Sequence, residues 1–190
     1  MSLSFLTITV LGLAAIAAAG DTLPWNVPRV LEPVISTSSF KAAYEIGTWL
    51  NPFYLRGDFD GDGLPDYALL VIHRGDGKKG IVVWLSSRAK SGLAVVGAGT
   101  EFGAGGGHSD NWDFFDAWQV YEKRTAGQVA GQGQRPKGEA IWLEKSESDG
   151  ALLFWEGKRF DCTRRPMKPC VAPRVRIDPW RPARNPHGFR

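Results

Sequence analysis

The sequence predicts a mainly β protein: one antiparallel sheet or meander, or a small sandwich, with a single short N-terminal helix and a C-terminal tail. Three observations carry this. Short apolar runs rich in β-branched and aromatic residues recur along the chain, separated by Gly/Asp-rich turns. Segments with helical periodicity are scarce. From Pro166 to Arg190 proline and arginine dominate, a composition that buries little apolar surface, so this basic Pro-rich tail is expected to be extended or disordered.

Taken in order, residues 1–20 hold no charged side chain, an apolar stretch from Leu3 to Ile16, and the small residues Ala17-Ala18-Ala19. They read as a secretory signal peptide cut after Ala19 or Gly20. No Lys or Arg precedes the apolar run, so a retained membrane anchor is the competing reading. Residues 21–36 are expected to be extended and residues 37–165 to form the β domain. Its one helix is placed at Ser39 to Ile46, with Ser38 or Ser39 as N-cap. Tyr67 to His73 and Gly80 to Ser86 are strands joined by a glycine-rich hairpin turn at 74–79. Leu93 to Val96 is a further strand. Gly103 to Asp110 has too many glycines for an element and reads as a loop. Aromatic enrichment favours a strand from Ala117 onward, and Gly127 to Gly138 reads as a polar loop. Ala140 to Lys145 and Ala151 to Trp155 form a second hairpin, after which Glu156-Gly157-Lys158 turns into Arg159-Phe160.

The most specific chemical pattern is Asp58-Phe59-Asp60-Gly61-Asp62-Gly63-Leu64-Pro65-Asp66. Calcium is a hard cation that takes six to eight oxygens at roughly 2.3–2.6 Å. Asp58, Asp60 and Asp62 can point oxygens at one centre, and Gly63 permits the sharp turn by tolerating positive φ. Leu64 would offer its carbonyl, and Asp66 a direct or water-borne contact. The metal ligands expected are therefore Asp58, Asp60, Asp62, Leu64 and Asp66, with Ca²⁺ as the cofactor. An EF-hand would need a bidentate Glu at position twelve, where Leu69 stands, and a helix where the apolar run 67–72 follows.

The stretch from Gly57 to Val71 resembles the calcium loops of FG-GAP and VCBS-type repeats, found in β-propellers and many exported bacterial proteins. A propeller would repeat it, but here it occurs once. The second hairpin is similar to a recurring element of small uncharacterised exported bacterial proteins. The resemblance implies a periplasmic or secreted source and no particular activity.

After signal removal about 170 residues remain, enough for one domain with its own core. The net charge is +3. Residues 161–190 hold eight Lys/Arg against two Asp, so the tail is basic, the body mildly acidic, and a nucleic-acid partner is not indicated. Cys162 and Cys170, in an exported chain, read as a disulfide, with free thiols as the alternative.

No catalytic residue is assigned and an enzyme is not expected. His108-Ser109-Asp110 has triad residue types, yet adjacent members cannot converge on one another. Glu144, Glu147 and Glu156 read as a solvated face. Of the eight tryptophans, four lie within strands and are expected in the core (Trp84, Trp118, Trp142, Trp155), and two flank loops (Trp49, Trp112), with core again the first reading and a ligand platform the alternative. An exposed indole at those two positions would stack on a sugar or clamp a peptide. Arg-Gly-Asp occurs at 56–58 and 74–76, by chance in a chain of this composition. The expected function is thus an exported calcium-binding β domain in which calcium is structural. An envelope glycan- or peptide-binding module using the loop tryptophans is the main alternative, and a hydrolase a more distant one.

Overall fold

The computed structural model describes residues 26–104, 107–131 and 133–166. The expected signal peptide, most of the basic tail and Cys170 lie outside the described residues. Within them no helix is long and apolar enough to cross a membrane.

The protein is mainly β, as the residue pattern predicts. Strands β1 (Tyr44–Ile46), β2 (Tyr54–Gly57), β3 (Asp66–His73), β4 (Lys79–Trp84) and β5 (Leu93–Gly97) form one antiparallel sheet. Its order is β1-β3-β4-β5, and β2 pairs with β3 as well, Tyr54 opposite Leu69 and Gly57 opposite Asp66. After the short hairpin β6 (Phe102–Ala104) and β7 (Gly107–Ser109) comes the second sheet. It is built from β8 (Ala117–Tyr121), β9 (Ala140–Glu144), β10 (Asp149–Trp155) and β11 (Phe160–Pro166), ordered β11-β10-β9-β8.

Side chains alternate across a strand, so each sheet offers two faces. Ala68, Leu70, Ile81, Val83 and Val96 of the first sheet meet Trp118, Ile141, Leu143, Leu153 and Phe160 of the second in one buried cluster. That shared cluster makes the molecule a sandwich. The intervening residues are buried as well. Tyr67, Leu69, Val71 and Val82 pack against Leu31, Ile35 and Phe40, which come from a 3₁₀ turn (Arg29–Leu31) and the helices α1 (Glu32–Ile35) and α2 (Ser38–Ala43). On the far side, Ala140, Trp142, Leu152 and Phe154 are covered by Ala126 and Ala130 of α3 (Lys123–Ala130). Helices therefore cap both outer faces. Each large apolar side chain buried this way contributes on the order of 1.5–3 kcal/mol.

Several local expectations are corrected. Residues 29–35 are helical rather than extended, because Leu31 and Ile35 gain burial on the face of β3. The expected helix from Ser39 to Ile46 starts earlier and ends at Ala43. Its N-cap is Thr37, whose Oγ1 accepts the Phe40 N–H at 3.3 Å, not Ser38 or Ser39. Tyr44–Ile46 leave it to pair with Val71–His73, so sheet pairing overrides local propensity. The first part of the expected 127–138 loop is α3. The glycine-rich segment around 103–109 forms the β6–β7 hairpin instead of a loop. Cys162 is buried in the inter-sheet core, and burial pushes its thiol up to about 12. The expected bridge to Cys170 falls on a position outside the described residues.

Candidate metal site

The Asp-rich segment is the connection between β2 and β3. Gly57 pairs with Asp66 at the mouth of this hairpin, so residues 58–65 are held at both ends by one ladder. Gly61 and Gly63 have φ of +79° and +86°, a left-handed backbone that favours glycine. A Cβ on Gly61 would lie 2.2 Å from the carbonyl oxygen of Lys137. The loop thus packs backbone against backbone on the approach to β9.

Asp66 anchors the site. Its side chain is fully buried, and its oxygens accept N–H groups from Phe59 (2.9 Å), Asp60 (3.3 Å) and Ser86 (2.9 Å). Burial is the first cause that raises its carboxyl above the usual range; the nearby Asp60 adds to this, while the three N–H donors oppose it. Asp58 accepts from Gly61 N–H at 2.8 Å and Gly63 N–H at 3.0 Å. Asp60 accepts from Asp62 N–H, from the Ser87 hydroxyl at 3.2 Å, and from Arg88 Nε at 3.4 Å.

Asp58, Asp60 and Asp66 each place one carboxylate oxygen within 4.8 Å of the other two. Two oxygens on opposite sides of a cation at 2.3–2.6 Å lie about 5 Å apart, so this trio can hold a metal ion. Three of the residues expected as side-chain ligands are brought together. Asp62 stands outside the trio and is exposed. It accepts from Leu64 N–H at 2.8 Å, and the Ser87 hydroxyl, chiefly, holds its carboxyl below the usual range. Leu64, expected to offer its carbonyl, has a 51% exposed side chain.

Three participants escaped the sequence reading. Asp58 N–H donates to Glu139 Oε2 at 2.7 Å, and Glu139 N–H donates to the Asp58 carbonyl at 2.7 Å. This reciprocal pair ties the loop to the start of the second sheet. Glu139 also stands beside the loop in an open pocket of about 340 Å³ with Asp58, Gly63 and Leu64. Ser87 and Arg88 come from the turn after β4, and the Arg88 guanidinium also lies over the Trp155 ring at 4.7 Å. No local signal marks these residues, since Glu139 is 81 positions and Arg88 28 positions from its loop partner.

Arg88 supplies the positive charge that a metal would otherwise bring to Asp60. A partly exposed ion pair of this kind is worth about 0–1 kcal/mol, equivalent to at most about a fivefold change in affinity. Arg88→Ala is therefore expected to tighten divalent-cation binding about two- to fivefold in isothermal titration. Unchanged or weaker binding would show that Arg88 does not compete.

The other sequence candidates are dispersed. Trp112, which flanks a loop in the sequence, is 2% exposed and belongs to the inter-sheet core. Its ring is enclosed by the short hairpin and the following chain, which removes it as a stacking platform. Trp49 is half-buried, with Lys79 Nζ 5.1 Å from its ring centroid. Ser109 Oγ donates to the Asn111 carbonyl, and Asp110 pairs with Lys78. Glu156 pairs with Arg159. In the second Arg-Gly-Asp, Asp76 is engaged by His73 and Lys78, which hold its carboxyl at about 2. Comparisons with protein-family models, characterised proteins and solved structures find no match to this chain.

Proposed function

We propose that the chain is an exported calcium-binding β-sandwich protein in which calcium acts structurally, in a loop like those of FG-GAP and VCBS-type repeats. One observation carries the reading: three carboxylates converge within 4.8 Å at the β2–β3 connection. The all-oxygen donor set suits a hard cation. The charge-free apolar start of the chain supports export to a compartment where calcium is abundant. The ion would relieve repulsion between Asp58, Asp60 and Asp66 and fix the loop against Glu139 and the second sheet. Asp62 and the Leu64 carbonyl would complete the shell.

The mechanism is linkage between binding and folding. For a Kd of about 0.1 mM and about 1 mM calcium, stabilisation amounts to roughly 1.4 kcal/mol. Adding a chelator is expected to lower the melting temperature of the protein, and Asp60→Ala to abolish the difference between calcium and chelator. Identical melting curves for the unsubstituted protein in calcium and in chelator would overturn the proposal.

A further inference from the structure

Strand β5 ends the first sheet, and its register shows which of its main-chain groups are spent. Leu85 N–H donates to the Gly92 carbonyl at 2.8 Å, and Ala98 N–H donates to the Lys79 carbonyl at 2.9 Å. Hydrogen-bonded pairs alternate along an antiparallel ladder. Ala94 and Val96, opposite Val83 and Ile81, therefore direct their N–H and C=O groups at β4. Leu93 and Val95 direct theirs outward, and among the described residues neither has a main-chain partner there. Edges of this kind are usually blunted by charge, proline or a covering segment. Here Leu93 is instead a large apolar side chain left 37% exposed.

Beside this edge runs a groove of about 620 Å³. Its buried lining includes Leu85, Trp155 and Phe160, and its exposed lining includes Arg88, Lys158 and Arg159. Arg88 is shared with Asp60 and Arg159 with Glu156, whereas Lys158 has no ion-pair partner among the described residues. The groove thus offers apolar depth, a cationic rim and unspent strand hydrogen bonds along one line.

Charge selects the occupant. The residues after Pro166 carry six Lys/Arg against one Asp and would be repelled by the rim. A second copy pairing β5 with β5 would bring two sets of Arg88, Lys158 and Arg159 together, and such like-charge juxtaposition is costly. We propose that the β5 edge binds an extended, acidic segment of another protein as an added strand, with apolar residues alternating with the acidic ones. Main-chain bonds to Leu93 and Val95 would provide affinity, and the groove and rim would select alternate side chains. This does not depend on the metal site.

The test uses the full chain and a labelled synthetic peptide alternating valine with glutamate, followed by fluorescence anisotropy. Saturable binding is expected, at least about tenfold tighter than for the valine–lysine counterpart. The double variant Lys158→Glu/Arg159→Glu, at two exposed positions, is expected to reverse that preference. Methylating alternate main-chain nitrogens of the peptide is expected to abolish binding without any change to the protein. Val95→Pro, tolerable on an edge strand, is expected to do the same. Absence of saturation at millimolar peptide, equal affinity for both peptides, or indifference to methylation would overturn the proposal. So would a concentration-dependent dimer in sedimentation that Val95→Pro dissolves, because the edge would then belong to a second copy.

Discussion

Asp66→Ala is expected to destabilise the protein by about 3–5 kcal/mol, whether or not calcium is present. The carboxylate is fully buried and accepts three main-chain N–H groups, from Phe59, Asp60 and Ser86. Alanine would leave those donors without an acceptor, and each unsatisfied buried group costs about 1–3 kcal/mol. The loop would also lose its hold on Phe59, which is completely buried between the sheets. This exceeds the roughly 1.4 kcal/mol available from calcium at the concentrations considered above. Urea unfolding in chelator separates the two contributions. A large loss in chelator places Asp66 as a structural acceptor, whereas equal stability of the variant and the parent in chelator would confine its role to the ion.

The second large effect is expected at Trp112. Truncation to alanine should cost about 3–5 kcal/mol, the range for a buried aromatic whose cavity cannot collapse. Its ring meets Phe102 edge-on at 5.6 Å and Phe114 at 5.5 Å, and its Nε1–H donates to the Ser109 carbonyl at 3.3 Å. Gly97 lies so close that an added Cβ would be 2.8 Å from the indole. Trp112→Phe should cost less, since most of the ring contact survives. A surface platform behaves differently, because truncating it changes stability by less than about 0.5 kcal/mol. A drop that small in urea unfolding would return Trp112 to the surface as a recognition residue.

Legibility varied with the range of the interaction that decided each feature. The runs at 67–73, 80–86, 93–96, 140–145 and 151–155 were readable to within two residues, because apolar β-branched residues between Gly/Asp turns report a strand locally. β1 and β2 were not, since Tyr44–Ile46 and Tyr54–Gly57 are short and become strands by pairing with β3. α3 hid within a Gly/Gln-rich segment. Its alanines at 126 and 130, one turn apart, let it sit on Trp142 and Phe154, a fit that depends on the sheet beneath. In the site, alternate carboxylates and two glycines pointed to the loop and its ligand chemistry. Glu139, Ser87 and Arg88 did not announce themselves, and Asp62 shared the loop's spacing without joining the trio.

By itself the sequence determined the main strands, the position of the acidic turn and the oxygen donors it could offer a metal ion. These are local properties, set by side-chain periodicity, glycine conformation and the spacing of oxygen donors. Tertiary structure alone decided that two sheets face each other, that helices cover both outer faces, and that Trp112 turns inward. It also decided that Asp58, Asp60 and Asp66 converge while Asp62 does not. The physical reason is that burial and charge convergence are settled by groups distant in sequence. A carboxylate such as Asp66 becomes an anchor only when Ser86 and the backbone of the returning loop close around it.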